Sequence, residues 1–122
     1  MPAGTPLALS RSEEFDDLVR SAIGRLERRW AHELDAIEVA VEDVPDPDLL
    51  TEQGAPSATS LRLGRSEAAA GDRAARIVVY RRAVESRSRG QRAREALVHE
   101  VVVEQLADLL GLDPAAVDPD DD

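Results

Sequence analysis

The chain has 122 residues, no cysteine and a formal net charge of −10. That length suits one small domain. The missing thiols exclude disulfides and cysteine-based metal or nucleophile chemistry, and the charge argues against non-specific nucleic-acid binding.

Hydrophobic residues make up 43% of the chain but aromatic residues only 2%, so Val, Leu, Ile and Ala must build the core around Phe15, Trp30 and Tyr80. No apolar run approaches the ~20 residues of a membrane span. No basic region followed by an apolar run opens the chain, so no signal peptide is expected. The expectation is a cytoplasmic protein with no membrane contact.

Residues 1–9 read as a loose leader. Ser10 and Glu13 have the S-x-x-E spacing of a capping box. Phe15, Leu18, Val19, Ala22, Ile23, Leu26 and Trp30 then recur at three- and four-residue steps, which predicts an amphipathic helix over 11–33. Ile37, Val39 and Val41 alternate with Glu38, Ala40 and Glu42, the period of a half-buried strand. "PDPD" at 45–48 ends it, because proline cannot continue a central ladder. Residues 49–60 read as loop, "SLRLGR" at 60–65 as a short edge strand, and "SEAAAGDRAA" as a flexible connection or at most one helical turn. "RIVVYRR" at 76–82 reads as a strand with little exposed face. After a break at Gly90, the last helix is expected from about Gln91 to Leu110, with Gly111 as its C-cap and Pro114 forbidding continuation. The rest, 114–122, is acidic, contains proline and is expected to be a disordered tail, which leaves 10–113 as the domain. The order predicts an α+β fold: an N-terminal helix, a short sheet of about three strands and a C-terminal helix.

At ~100° per residue, with Ala96 at zero, Val98, Leu109, Val102, Leu106, Leu110, Val103 and Ala107 fill an arc from about 200° to about 20°. That arc is the expected buried face, and His99 falls inside it. Glu100, Glu104 and Asp108 form a polar ladder at about 40°, 80° and 120°, with Gln105 beside it. His99 therefore reads as a buried, hydrogen-bonded histidine rather than a metal ligand. The ladder alone reads as a solvated face.

Three stretches carry a resemblance. "FDDLVRSAIGRL", "DAIEVAVEDVPDP" and "RIVVYRRAVE" look like the opening helix, the first strand with its acidic turn, and the strand before the site helix of the minimal zincin-like metallopeptidases of bacteria. The likeness covers most of residues 13–113. It implies a small zincin-like domain whose last helix would carry H-E-x-x-H-x-x-G-x-x-D. The "GLD" at 111–113 matches the end of that pattern, and taking Gly111 as its glycine sets the register. The two histidine positions are then Glu104 and Asp108. The general-base position is Gln105, and the third ligand position is Pro114, with Asp113 one residue early. His99-Glu100 lies upstream as a decoy, and His32-Glu33 is a chance pair with no second histidine at the required spacing.

These substitutions bear on the chemistry. A catalytic zinc needs three protein ligands, usually including imidazole, and an open position for water. A nearby carboxylate takes the proton as the water attacks. Gln105 cannot act as that base, and Pro114 has no ligating side chain. His99 and Glu104 lie about 140° apart around the helix, too far to share a metal on one face. The expectation is therefore a non-catalytic, metallopeptidase-like binding module with an unidentified protein partner, no cofactor and no nucleic acid. The alternatives are a peptidase with atypical carboxylate ligands, or a domain holding a weakly bound divalent cation through Glu104 and Asp108, aided by Glu100 or Asp113. Zinc is not expected.

Arg81, Arg82, Arg87, Arg89, Arg92 and Arg94 form a basic segment. It reads as ordinary surface arginine, partly paired with Glu85 and Glu95. A hypothesis links it to the tail: Asp118, Asp120, Asp121 and Asp122 would screen it, so that deleting the tail would increase salt-sensitive polyanion binding.

Overall fold

The computed structural model describes residues 11–43 and 63–118. Ser10 of the capping box, "PDPD", the 49–60 loop, the start of the expected edge strand and Asp120–Asp122 lie outside the described residues. Helix α1 spans Arg11–Asp35 and buries Phe15, Val19, Ala22 and Leu26, a stripe at four-, three- and four-residue steps. Glu13 and Glu14 sit in its first turn, where the helix dipole favours negative charge. Trp30 leaves helical geometry (φ −120°, ψ 26°), and its indole N–H donates to the Val117 carbonyl at 2.8 Å.

The sheet has three strands among the described residues: β1 Ile37–Glu42, β2 Gly64–Glu67 and β3 Ala75–Tyr80, in the order β1-β3-β2. β1 runs parallel to β3 with Ile37 opposite Ala75, and β2 runs antiparallel with Gly64 opposite Val79. β3 is central. Ile77, Val78, Val79 and Tyr80 are all buried, which is why its sequence is continuously apolar rather than alternating. Within the described residues the edge strand runs past the expected end at Arg65 into "SE". The connection after it closes as a tight turn bridging Ala70 and Arg73, with Gly71 at φ 59°.

Helix α2, Arg81–Ser86, follows β3 directly and was not expected as a helix. Arg81 Nε donates to Asp43 Oδ1 at 2.9 Å, and the Arg82 amide donates to the Asp43 carbonyl at 3.1 Å. These bonds tie the C-terminal ends of β1 and β3. The Arg81 hydrogen bond lowers the Asp43 pKa below its ordinary value. Helix α3 spans Gln91–Leu110, as expected, and ends at Gly111 in the left-handed region at φ 69°. The Leu112 amide donates to the Ala107 carbonyl and that of Gly111 to Asp108, the paired bonds of a glycine-terminated helix.

The chain does not become loose at Pro114. Pro114–Val117 forms a short helical turn, α4, whose Val117 is 1% exposed. Asp113 caps this turn by accepting from the Ala115 amide at 3.0 Å, and Pro114 occupies a first-turn position that needs no N–H donor. The core lies between α1, α3 and the inner face of the sheet, and Val117 closes one end of it. Among the described residues, no helix is long and apolar enough to cross a membrane.

Candidate functional site

The site expected on α3 faces β2. Val101, Gln105 and Asp108 lie at steps of four and three, so one strip of the helix carries all three. Gly64 of β2 packs against that strip. A Cβ built on it would lie 2.9 Å from Val101 Cγ1, 3.7 Å from Gln105 Cγ and 2.6 Å from the Val78 carbonyl oxygen. Only a residue without a side chain lets the strand come this close. Two residues on, Ser66 points the same way, and its hydroxyl donates to Asp108 Oδ2 at 2.5 Å. Val101, 1% exposed, therefore belongs to the core although the angular reading left it outside the buried arc. The helix is covered on two sides, by the core and by β2.

Glu104 and Glu100 lie outside this contact and are exposed. Burial, and then the charge of Glu100 one turn away, raise the Glu104 pKa above its ordinary value of 4.5. A raised pKa means that the folded chain disfavours the ionised form. The penalty is present above the raised pKa and vanishes as pH falls below the ordinary value. Glu104→Gln is therefore expected to raise the denaturation midpoint at pH 7, with the gain disappearing below about pH 4. Equal midpoints at both pH values would contradict the raised pKa.

Asp113 is engaged as the α4 cap, and Pro114 offers no donor atom. His99 is 6% exposed, and its Nε2 lies 2.6 Å from Asp118 Oδ2. It is thus a buried, hydrogen-bonded histidine on the face of α3 away from β2. His32 is exposed in the last turn of α1.

The outer face of β2 carries an arrangement that the sequence reading did not identify. Arg65 Nε donates to Glu67 Oε2 at 2.8 Å, and its Nη1 donates to the Tyr80 hydroxyl at 2.7 Å and to Glu42 at 3.3 Å. The guanidinium also lies over the Tyr80 ring, 5.8 Å from its centroid. Burial works against the charge, but the hydrogen bonds to Tyr80, Glu67 and Glu42 outweigh it and raise the Arg65 pKa. The clasp joins all three strands, so the edge strand that contacts α3 is anchored from behind.

Arg81 is held by Asp43 and Glu85. Asp118, expected to screen the basic segment, is instead engaged by His99.

An N-terminal helix, a short sheet and a last helix ending at Gly111 are the arrangement the resemblance implied. A family model described as zincin-like metallopeptidase matches residues 34–121. The chain belongs to the zincin-like metallopeptidase family. No curated protein matches it.

Members of this family are built around a metal helix, so the residues present must be tested against a catalytic zinc. In the register set by Gly111, the helix offers one carboxylate pointing outward and one held by Ser66, with an amide between them. No imidazole stands at any of these positions. Among the described residues, no three His, Cys, Asp or Glu side chains converge as a metal-binding group. This donor set does not fit the three-ligand, open-position zinc of a peptidase.

Proposed function

We propose that this zincin-like domain is non-catalytic and acts as a binding module through the α3–β2 face. The observation that supports this reading is the Ser66–Asp108 hydrogen bond. At the position where the family pattern places its second imidazole, a short carboxylate is turned onto β2 and accepts a hydrogen bond from the Ser66 hydroxyl. The neighbouring position carries Gln105, which can form hydrogen bonds but has no basic group to take a proton near neutral pH. A face of carboxylates, an amide and a hydroxyl is suited to hydrogen bonding with a polar partner surface.

Metal analysis tests the proposal. The untagged protein, purified without chelator, is expected to contain no stoichiometric zinc and to cleave no unstructured protein substrate. Calcium and manganese titrations are expected to give at most weak binding, because one or two carboxylates on an exposed helix supply too few oxygens. Near-stoichiometric zinc that disappears in Glu104→Ala or Asp108→Ala would overturn the reading and return the domain to the peptidases.

A further inference from the structure

On the opposite side of α3 from Gly64 and Ser66, a cavity of about 440 Å³ is lined by Arg25, Arg28 and Arg29 of α1, His99 of α3, and Val117 and Asp118 at the end of α4. The three arginines stand at i, i+3 and i+4, so α1 presents them as one strip. Two acidic groups beside it, among the described residues, are already engaged. Glu95 accepts from Arg25 at 3.1 Å, and Asp118 is held by His99 at 2.6 Å. Arg28 and Arg29 have no carboxylate partner among the described residues.

His99 adds a second observation. Its Nε2 faces Asp118, while its Nδ1 is buried with no hydrogen-bond partner. A carboxylate can only accept, so the Asp118 contact draws the Nε2 proton toward the acid and leaves the buried Nδ1 without a partner. The His99–Asp118 pair stands on one side of the cavity, and on the other stand two guanidiniums with no carboxylate partner among the described residues. A cationic excess in a concavity stands out in a chain of net charge −10. Guanidiniums present paired N–H groups that match the oxygens of phosphate and hold them bidentately. The volume is within the range of small-molecule sites and too small for a folded partner.

We infer that the Arg25–Arg28–Arg29 cavity is a binding site for the phosphate group of a small phosphorylated molecule. Arg28 and Arg29 supply the charge. Arg25 is steadied by Glu95, and the His99–Asp118 pair forms the floor. The inference stands apart from the proposed role of the α3–β2 face, and either can fail without the other.

The two histidines make the test direct. His99 lines the cavity and His32 does not. Inorganic phosphate and then glycerol 3-phosphate are titrated into the full-length protein at constant ionic strength, with chloride as the compensating salt, and the imidazole NMR signals are followed. The expected result is a saturable shift of the His99 signals with His32 unmoved. The double substitution Arg28→Gln and Arg29→Gln is expected to weaken binding at least tenfold. Both side chains are exposed, so the variant should keep the wild-type circular dichroism spectrum and melting temperature. Glycerol 3-phosphate is expected to bind more tightly than inorganic phosphate. A shift that chloride reproduces, or one that the double variant retains, would overturn the site. A phosphoserine peptide binding more tightly than glycerol 3-phosphate would overturn the assignment to a small molecule.

Discussion

Gly64→Ala is expected to destabilise the domain by about 3 kcal/mol, at the upper end of what one added methyl group costs in a filled site. The new carbon would stand 2.6 Å from the Val78 carbonyl oxygen and 2.9 Å from Val101 Cγ1. The first obstacle is backbone in the central strand and cannot rotate away. The second is a side chain, so adding Val101→Ala should recover part of the loss and not all of it. Gly24 provides the control. A Cβ there meets nothing within 4 Å, and the position is helical and exposed. Gly24→Ala should therefore stabilise by roughly 1 kcal/mol through helix propensity. Urea denaturation midpoints of the single and double variants decide the matter. A Gly64→Ala protein as stable as the parent would mean that β2 does not lie against α3, and the site built on that contact would have to be abandoned.

Ending the chain at Asp113 is expected to cost about 4–6 kcal/mol, a large part of the stability of a domain this size. Three contacts are lost together. Val117 leaves a fully buried position, worth about 2 kcal/mol. The Trp30 indole N–H loses the Val117 carbonyl, and His99 loses Asp118, each costing roughly 1–2 kcal/mol if the group stays dry. Val117→Ala and Asp118→Ala should each show part of the effect. A chain ending at Asp113 that unfolds at the same denaturant concentration as the full chain would restore the domain boundary expected from the sequence.

The elements that sequence reading found are those whose side chains carry a period. α1 and α3 show apolar stripes, α3 is punctuated by Gly111, and β3 is a continuous apolar run. α2 escaped because six residues hold too little periodicity and it starts straight from Tyr80 with no capping side chain. α4 escaped because it has only four residues, three of them proline or alanine. Its start signal is Asp113 followed by Pro114, and the same proline is what forbids continuation of α3. The far end of β2 was missed because "GRSE" has no apolar alternation. Its inner residues are Gly and Ser, which permit a close approach, and its outer residues are Arg and Glu, which form the clasp with Tyr80.

The helix face of the candidate site was visible as an angular cluster of Glu104, Gln105 and Asp108. Its closure by Ser66 was not, because the contact joins residues 42 positions apart. Val101 was misplaced for a related reason. An angular reading expects one buried arc, and a helix covered on two sides has a wider one. The cavity beside α1 left no sequence signal, since it is completed by His99 and by Asp118 from the supposed tail.

The Trp30–Val117 hydrogen bond has a spectroscopic consequence. Trp30 is the only tryptophan in the chain, so all indole emission reports from the place where the C-terminal turn meets α1. Fluorescence therefore watches the docking of α4, whereas far-ultraviolet dichroism is dominated by α1 and α3. In a two-state domain the two signals would melt together. If the turn detaches first, emission will shift to the red while ellipticity stays near its native value, and the gap between the curves will measure how independently that last turn opens.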